Sequence, residues 1–171
     1  MGGGTVSAIT PSTTNNVFRI AQYTRRPMAV PNPSLATFCH RAGYDLKQEL
    51  IAYLRSQNKT VVDVGCHTKE RVDYPDYAPL VAEQVLDTSA SPKNAGVLVC
   101  GSGIGISIAA NKINGIRCGL CHDHYDARMT RKHNDANVLA LGGRTTGVEV
   151  AKEIVDTFLA TGFDGNQHAA R

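Results

Sequence analysis

The sequence predicts an α/β protein built on a parallel, doubly wound sheet, and three observations carry that reading. From Ala42 onward, strand-patterned and helix-patterned segments alternate, which implies right-handed crossovers between neighbouring parallel strands. The run Val97-Leu98-Val99 is apolar without alternation, as in a strand buried on both faces, and it leads through Cys100 and a glycine-rich turn into a helical pattern. At 171 residues and 42% hydrophobic content, the chain is long enough for one well-buried domain and short for two.

The elements follow in order. Ala42 to Gln57 carries Leu46, Leu50, Ile51 and Leu54 at helical spacing, and Lys59 to Val64 reads as a strand. Pro75 to Asp87 reads as a helix with proline in its first turn. Gly96 to Cys100 is a strand and Ile104 to Lys112 its helix; Arg117 to Cys121 is another short apolar run, and His124 to His133 a polar helix. Asn137 to Leu141 is the last strand, and Thr146 to Ala160 the last helix, with Val148, Ile154, Val155 and Phe158 facing inward. Leu35 to Cys39 is placed at the edge of the sheet, since Pro31 and Pro33 shorten any strand there.

Residues 1–38 differ from everything after them. They open with three glycines, are rich in Ser, Thr and Asn, and hold Arg19, Arg25 and Arg26, while the first acidic residue of the chain is Asp45. An acid-free, arginine-bearing leader is the composition of an organelle transit peptide and equally of a poorly ordered extension. The reading is a leader over 1–38 and a single domain over 39–171. Five cysteines, an odd number in mostly apolar surroundings, point to free thiols in a reducing compartment, and so to the cytoplasm unless the leader directs import. No apolar run approaches membrane-spanning length. A net charge of +3 and 6% aromatic content provide no basic stripe interleaved with stacking rings, so neither nucleic acid nor membrane is expected as a partner.

The chemistry concentrates at the stretch Gly96 to Asn111. Cys100 closes a buried strand, and in open parallel sheets that rim is where ligands bind. The helix that starts just beyond it turns unpaired N–H groups and a positive dipole end toward the same place, which suits an oxyanion and stabilises a thiolate. Cys100 is therefore a candidate base or nucleophile, and Gly101, Gly103 and Gly105 a candidate cradle. No Lys-Ser/Thr pair closes the turn as a nucleotide phosphate loop requires, and the glycine spacing fails the dinucleotide pattern. Cys118-Gly119-Leu120-Cys121-His122 has the haem-attachment or zinc half-site form. Strand alternation, however, would send Cys118 and Cys121 to opposite faces, which makes them packed thiols rather than a chelate; no metal is expected. Arg144, on the turn after the last strand, has the reach and permanent charge for a phosphate oxygen.

Four motifs then resemble one known family. Val99 to Lys112 (V-C-G-S-G-I-G-I-S-I-A-A-N-K), Arg131 to Asn137 (R-K-H-N-D-A-N), Leu141 to Arg144 (L-G-G-R) and Val72 to Ala78 (V-D-Y-P-D-Y-A) stand in the order found in type B ribose-5-phosphate isomerases and related sugar-phosphate isomerases. The resemblance implies a Rossmann-like α/β/α sandwich with a central, mainly parallel sheet of about five strands. It also implies a homodimer with shared active sites, with further pairing into a tetramer left open, and no cofactor. The activity implied is interconversion of ribose 5-phosphate and ribulose 5-phosphate. By resemblance, Cys100 is the base and Ser102, with the Gly101, Gly103 and Gly105 amides, holds the enediolate. His133 and Asn134, from the neighbouring subunit, open the sugar ring; Tyr74 contacts substrate, and Arg144 and Arg171 bind phosphate. Some members use a Glu carboxylate where this chain has Ile106, which favours the thiol here.

The chain departs from the family in two places. A first strand ending in Asp-His is replaced by His40-Arg41, and the phosphate motif R-H-x-x-R reads Gln167-His168-Ala169-Ala170-Arg171. Arg41 is expected to restore one of the lost charges. The alternatives are a catalytically weak sugar-phosphate-binding paralogue and an isomerase of a hexose 6-phosphate such as galactose or allose 6-phosphate.

Overall fold

A computed structural model describes residues 34–39, 41–70, 72–89 and 94–170. Five parallel strands form one sheet: β1 (Ser34–Cys39), β2 (Thr60–Asp63), β3 (Ala95–Cys100), β4 (Cys118–Leu120) and β5 (Val138–Gly142) lie in the order β2-β1-β3-β5-β4. Five helices connect and cover them: α1 (Tyr44–Ser56), α2 (Ala78–Val85), α3 (Ile104–Asn111), α4 (His124–Asn134) and α5 (Val148–Ala160). The α/β/α sandwich is thus wholly parallel. None of the helices among the described residues is long and apolar enough to cross a membrane.

Strand alternation divides the core in two. Val97 and Val99 point to the face covered by α1 and α5, where they meet Leu50, Leu54, Leu139, Leu141 and Ile154. Leu98 and Cys100 point to the other, where α2 and α3 contribute Val81, Val85, Ile106 and Ala110. Cys121 belongs to the first cluster and Cys118 packs on the second, so the two thiols of the C-x-x-C-H run do face opposite ways. Burial pushes the thiols of Cys118 and Cys121 up to about 12, which leaves them inert at neutral pH.

β1 is an interior strand and not the expected edge. It pairs with β2 on one side and β3 on the other, because the chain steps outward to β2 and then crosses back over β1 to reach β3. The strand begins directly after Pro33, and the remainder of the leader lies outside the described residues. The winding of the crossovers reverses between the parallel strands β1 and β3, which opens a crevice at their carboxyl ends. Cys100 ends β3 at that crevice.

Two further expectations are corrected. The helix expected over Pro75 to Asp87 is a 3-10 turn at Tyr74–Asp76 followed by α2. Pro79 lacks the N–H that a continuous helix would donate back to residue 75, so the helix begins afresh with that proline in its first turn. Val148 is 36% exposed while Ile154, Val155 and Phe158 are buried. It is the first residue of α5, at the rim where the sheet that would cover it has ended.

Candidate active site

The rim loop after β3 is held in one shape by its glycines. Gly103 adopts φ +77° as the residue before α3, and a Cβ there would lie 2.5 Å from Leu120 Cδ1 and about 3 Å from the Leu141 carbonyl. Both the left-handed backbone and the lack of room call for glycine. Ser102 is exposed, and its Oγ accepts from the Ile104 N–H at 3.4 Å, the first contact at the α3 amino terminus. Tyr74 lies over the loop from the opposite side, its ring 2.8 Å from where a Gly105 Cβ would stand, and it packs with Cys100 on the same apolar cluster.

The loop after β5 is strapped to this one. The Gly143 N–H donates to the Cys100 carbonyl at 2.7 Å and the Arg144 N–H to the Gly101 carbonyl at 3.0 Å. That places the exposed Arg144 guanidinium against Gly101, 3.7 Å from its ideal Cβ position. Cys100 feels the result. Burial pushes its thiol up, while the Gly101 amide, the Arg144 guanidinium and the Gly103 amide pull it back toward ionisation. Replacing Arg144 by Gln removes a cation that favours the thiolate, so alkylation of Cys100 by iodoacetamide should shift to higher pH. Peptide mapping of the Cys100 site across a pH series checks this; an unmoved profile would show that the guanidinium does not act on the sulfur.

Cys100, Ser102, Gly101, Gly103, Gly105, Tyr74 and Arg144 therefore come together. His133 and Asn134 do not join them. They end α4, which runs back from the carboxyl rim, so they sit beside the amino ends of the strands. The Arg117 Nε, just before β4, donates to the Asn134 carbonyl there. A hollow of about 280 Å³ lined by Asn111, Arg117, Thr130 and Asn134 marks this end. One strand length, roughly 17 Å for the six residues of β3, separates the two groups within a chain. The Arg41 side chain, His40 and Arg171 lie outside the described residues.

Two features escaped the sequence reading. Lys47 is fully buried, with its Nζ 2.5 Å from Asp63 Oδ2 and 3.1 Å from the Cys66 carbonyl. Asp63 Oδ1 also accepts the Gly65 N–H at 3.0 Å, so this pair pins the loop that runs from β2 toward Tyr74. The available signal was a lysine on the apolar stripe of α1, in step with Leu50, Ile51 and Leu54. The second is the stack of His168, read from the sequence only as part of the phosphate motif, on His133 with ring centroids 4.3 Å apart; no spacing rule links these two positions.

Residues 35–171 match the family described as Ribose/Galactose Isomerase. The chain belongs to that family. It is 44% identical over 137 residues to ribose-5-phosphate isomerase B of Escherichia coli, covering 80% of this chain and 90% of the relative. Among solved structures, a ribose 5-phosphate isomerase from Thermotoga maritima superposes with a TM-score of 0.78 at 44% identity, covering 81% of this chain and 94% of that one. Type B ribose 5-phosphate isomerase of Trypanosoma brucei superposes with a TM-score of 0.75 at 48% identity, over 82% of this chain. The Rossmann-like sheet is thus that of the sugar-phosphate isomerases.

Proposed function

We propose that the chain interconverts ribose 5-phosphate and ribulose 5-phosphate, with Cys100 as the base and the second half of each site supplied by a partner copy. The observation that carries this reading is the thiol at the mouth of the β1–β3 crevice, flanked by the amino terminus of α3 and the Arg144 guanidinium. Aldose–ketose isomerisation needs one group that carries a proton between C2 and C1 and fixed donors for the enediolate oxygen formed in between. The Cys100 thiolate takes the C2 proton and returns it to C1, while the O2 hydroxyl proton passes to O1 across the enediolate. The Gly101, Gly103 and Gly105 amides with Ser102 hold the oxyanion, Tyr74 walls the sugar, and Arg144 with Arg171 holds the phosphate.

Ribose 5-phosphate is mostly a closed ring, so an acid and base must open it before the thiolate acts. His133 and Asn134 suit that task, but only from another chain, given their distance from Cys100. The exposed face of α3 supports such pairing: Ile104 and Ile108, one turn apart, are 53% and 55% exposed beside the Cys100 loop. Apolar side chains in that position fit a two-fold interface between copies. The buried, unbridged thiols of Cys100 and Cys121 fit a reducing compartment such as the cytoplasm.

Mixing tests the shared site. Cys100→Ala and His133→Ala chains should each turn over ribose 5-phosphate poorly. Unfolded and refolded together at equal amounts, they should recover about a quarter of native activity, since half of random dimers are mixed and each mixed dimer holds one intact site. No recovery would place both groups of each site in a single chain, and faster turnover of galactose or allose 6-phosphate would move the substrate to hexoses.

A further inference from the structure

The segment after α5 folds back along the last turn of α4, and three consecutive residues of that turn grip it. Arg131 Nε donates to the Thr161 carbonyl at 3.2 Å. The Lys132 carbonyl accepts from the Asp164 N–H at 3.1 Å, and the Lys132 Nζ lies 3.5 Å from the Asp164 carboxylate. His133 then meets His168, their rings 20° from parallel with centroids 4.3 Å apart. Between these contacts Gly165 and Asn166 take successive positive φ values, +62° and +48°, and a 3-10 turn at Asn166–His168 presents the second imidazole. The chain thus spends a reversal and two anchors to bring one ring flat against another.

We propose that His168 is a positioning residue for His133, fixing the plane of its imidazole for ring opening of the sugar. The inference rests on the reading of His133 given above. A half-buried histidine in the last turn of an exposed helix has a soft ring torsion. A proton relay to a ring oxygen needs that torsion set, because general acid–base transfer works only within hydrogen-bond reach. Stacking restricts rotation without occupying either ring nitrogen of His133, so the ring stays available to the substrate. A side chain that only docked the tail would not need to meet His133, since Arg131 and Lys132 already anchor it.

The experiment separates ring opening from the chemistry that follows. Ribulose 5-phosphate cannot cyclise, because its C5 oxygen is esterified; its enediolate therefore forms without help from His133. In heavy water, exchange of its C1 hydrogen by the intact protein reports proton transfer alone, while net conversion of ribose 5-phosphate reports ring opening as well. His168→Ala should slow net conversion by roughly 10- to 100-fold, the cost of a misplaced catalytic group, and leave exchange within about twofold of native, as motion confined to the ring-opening group predicts. His168→Phe, which keeps the stack and removes the ring nitrogens, should restore conversion.

Exchange that falls in step with conversion, exchange absent from native protein, or a Phe variant as slow as the Ala variant would overturn the proposal, the last pointing to His168 as a phosphate ligand. His133→Ala distinguishes the two levels. If His133→Ala loses conversion and keeps exchange while His168→Ala keeps both, the positioning role fails alone; if His133→Ala shows no such split, the ring-opening role falls with it.

Discussion

Cys100→Ala should reduce isomerisation of ribose 5-phosphate by at least about 100-fold while the protein remains folded, in line with the 10² to 10⁴ that a placed acid–base group contributes. The sulfur is the proton carrier of the proposed mechanism; among the described residues the other titratable side chains on the apolar cluster of Leu98, Ile106 and Ala140 are Tyr74, Tyr77 and Cys118, and burial pushes the Cys118 thiol up to about 12. Residual activity has a source: the α3 amides and Ser102 remain to hold the enediolate. The cost to stability is small because Cys100 ends its strand and alanine removes only the sulfur from this buried position. Progress curves at saturating substrate, with circular dichroism on the same samples, check both halves. A variant that retains native turnover would move the base elsewhere on the rim.

Lys47→Met should destabilise the fold by about 3 kcal/mol, the lower end for breaking a buried ion pair. Methionine keeps most of the stem volume, so the loss reports the ammonium. Its removal leaves the Asp63 carboxylate facing the Cys66 carbonyl with no cation between them. Asp63 is 15% exposed, which lets water offset part of the penalty. Adding Asp63→Asn should recover more than half of the loss, because the amide carries no charge and still accepts the Gly65 N–H. Urea unfolding at one fixed protein concentration measures both variants. Equal stability of Lys47→Met and native protein would mean the pair does not pin the β2 loop.

The sheet was legible because its strands are short, apolar and separated by helices with clear periodicity, and because alternation alone sent Cys118 and Cys121 to opposite faces. The Cys100 loop was legible for a related reason: a strand, a run of glycines and a helix leave few conformations open. What escaped depends on long-range placement. β1 looked like an edge because Pro31 and Pro33 precede it, yet the return of the chain to β3 put a neighbour on each side. Lys47 broke the pattern of its own helix, and its partner, Asp63, lies on another element. The resemblance had already put His133 on the neighbouring subunit; its separation from Cys100 within one chain follows from the direction of α4, which motif order by itself does not express. The stack on His168 depends on a chain reversal at Gly165 and Asn166 that no periodicity announces.

That separation has a consequence in the test tube and in the cell. On the proposed roles, a chain that carries both a thiol and an imidazole, yet holds them at opposite ends of its sheet, does not complete a site by itself. On the proposed pairing, its specific activity is a function of how much of it is present: well below the dissociation constant of the dimer, the rate should fall as the square of the chain concentration while each molecule stays folded. Dilution would then silence the enzyme without damaging it, and concentration would restore it.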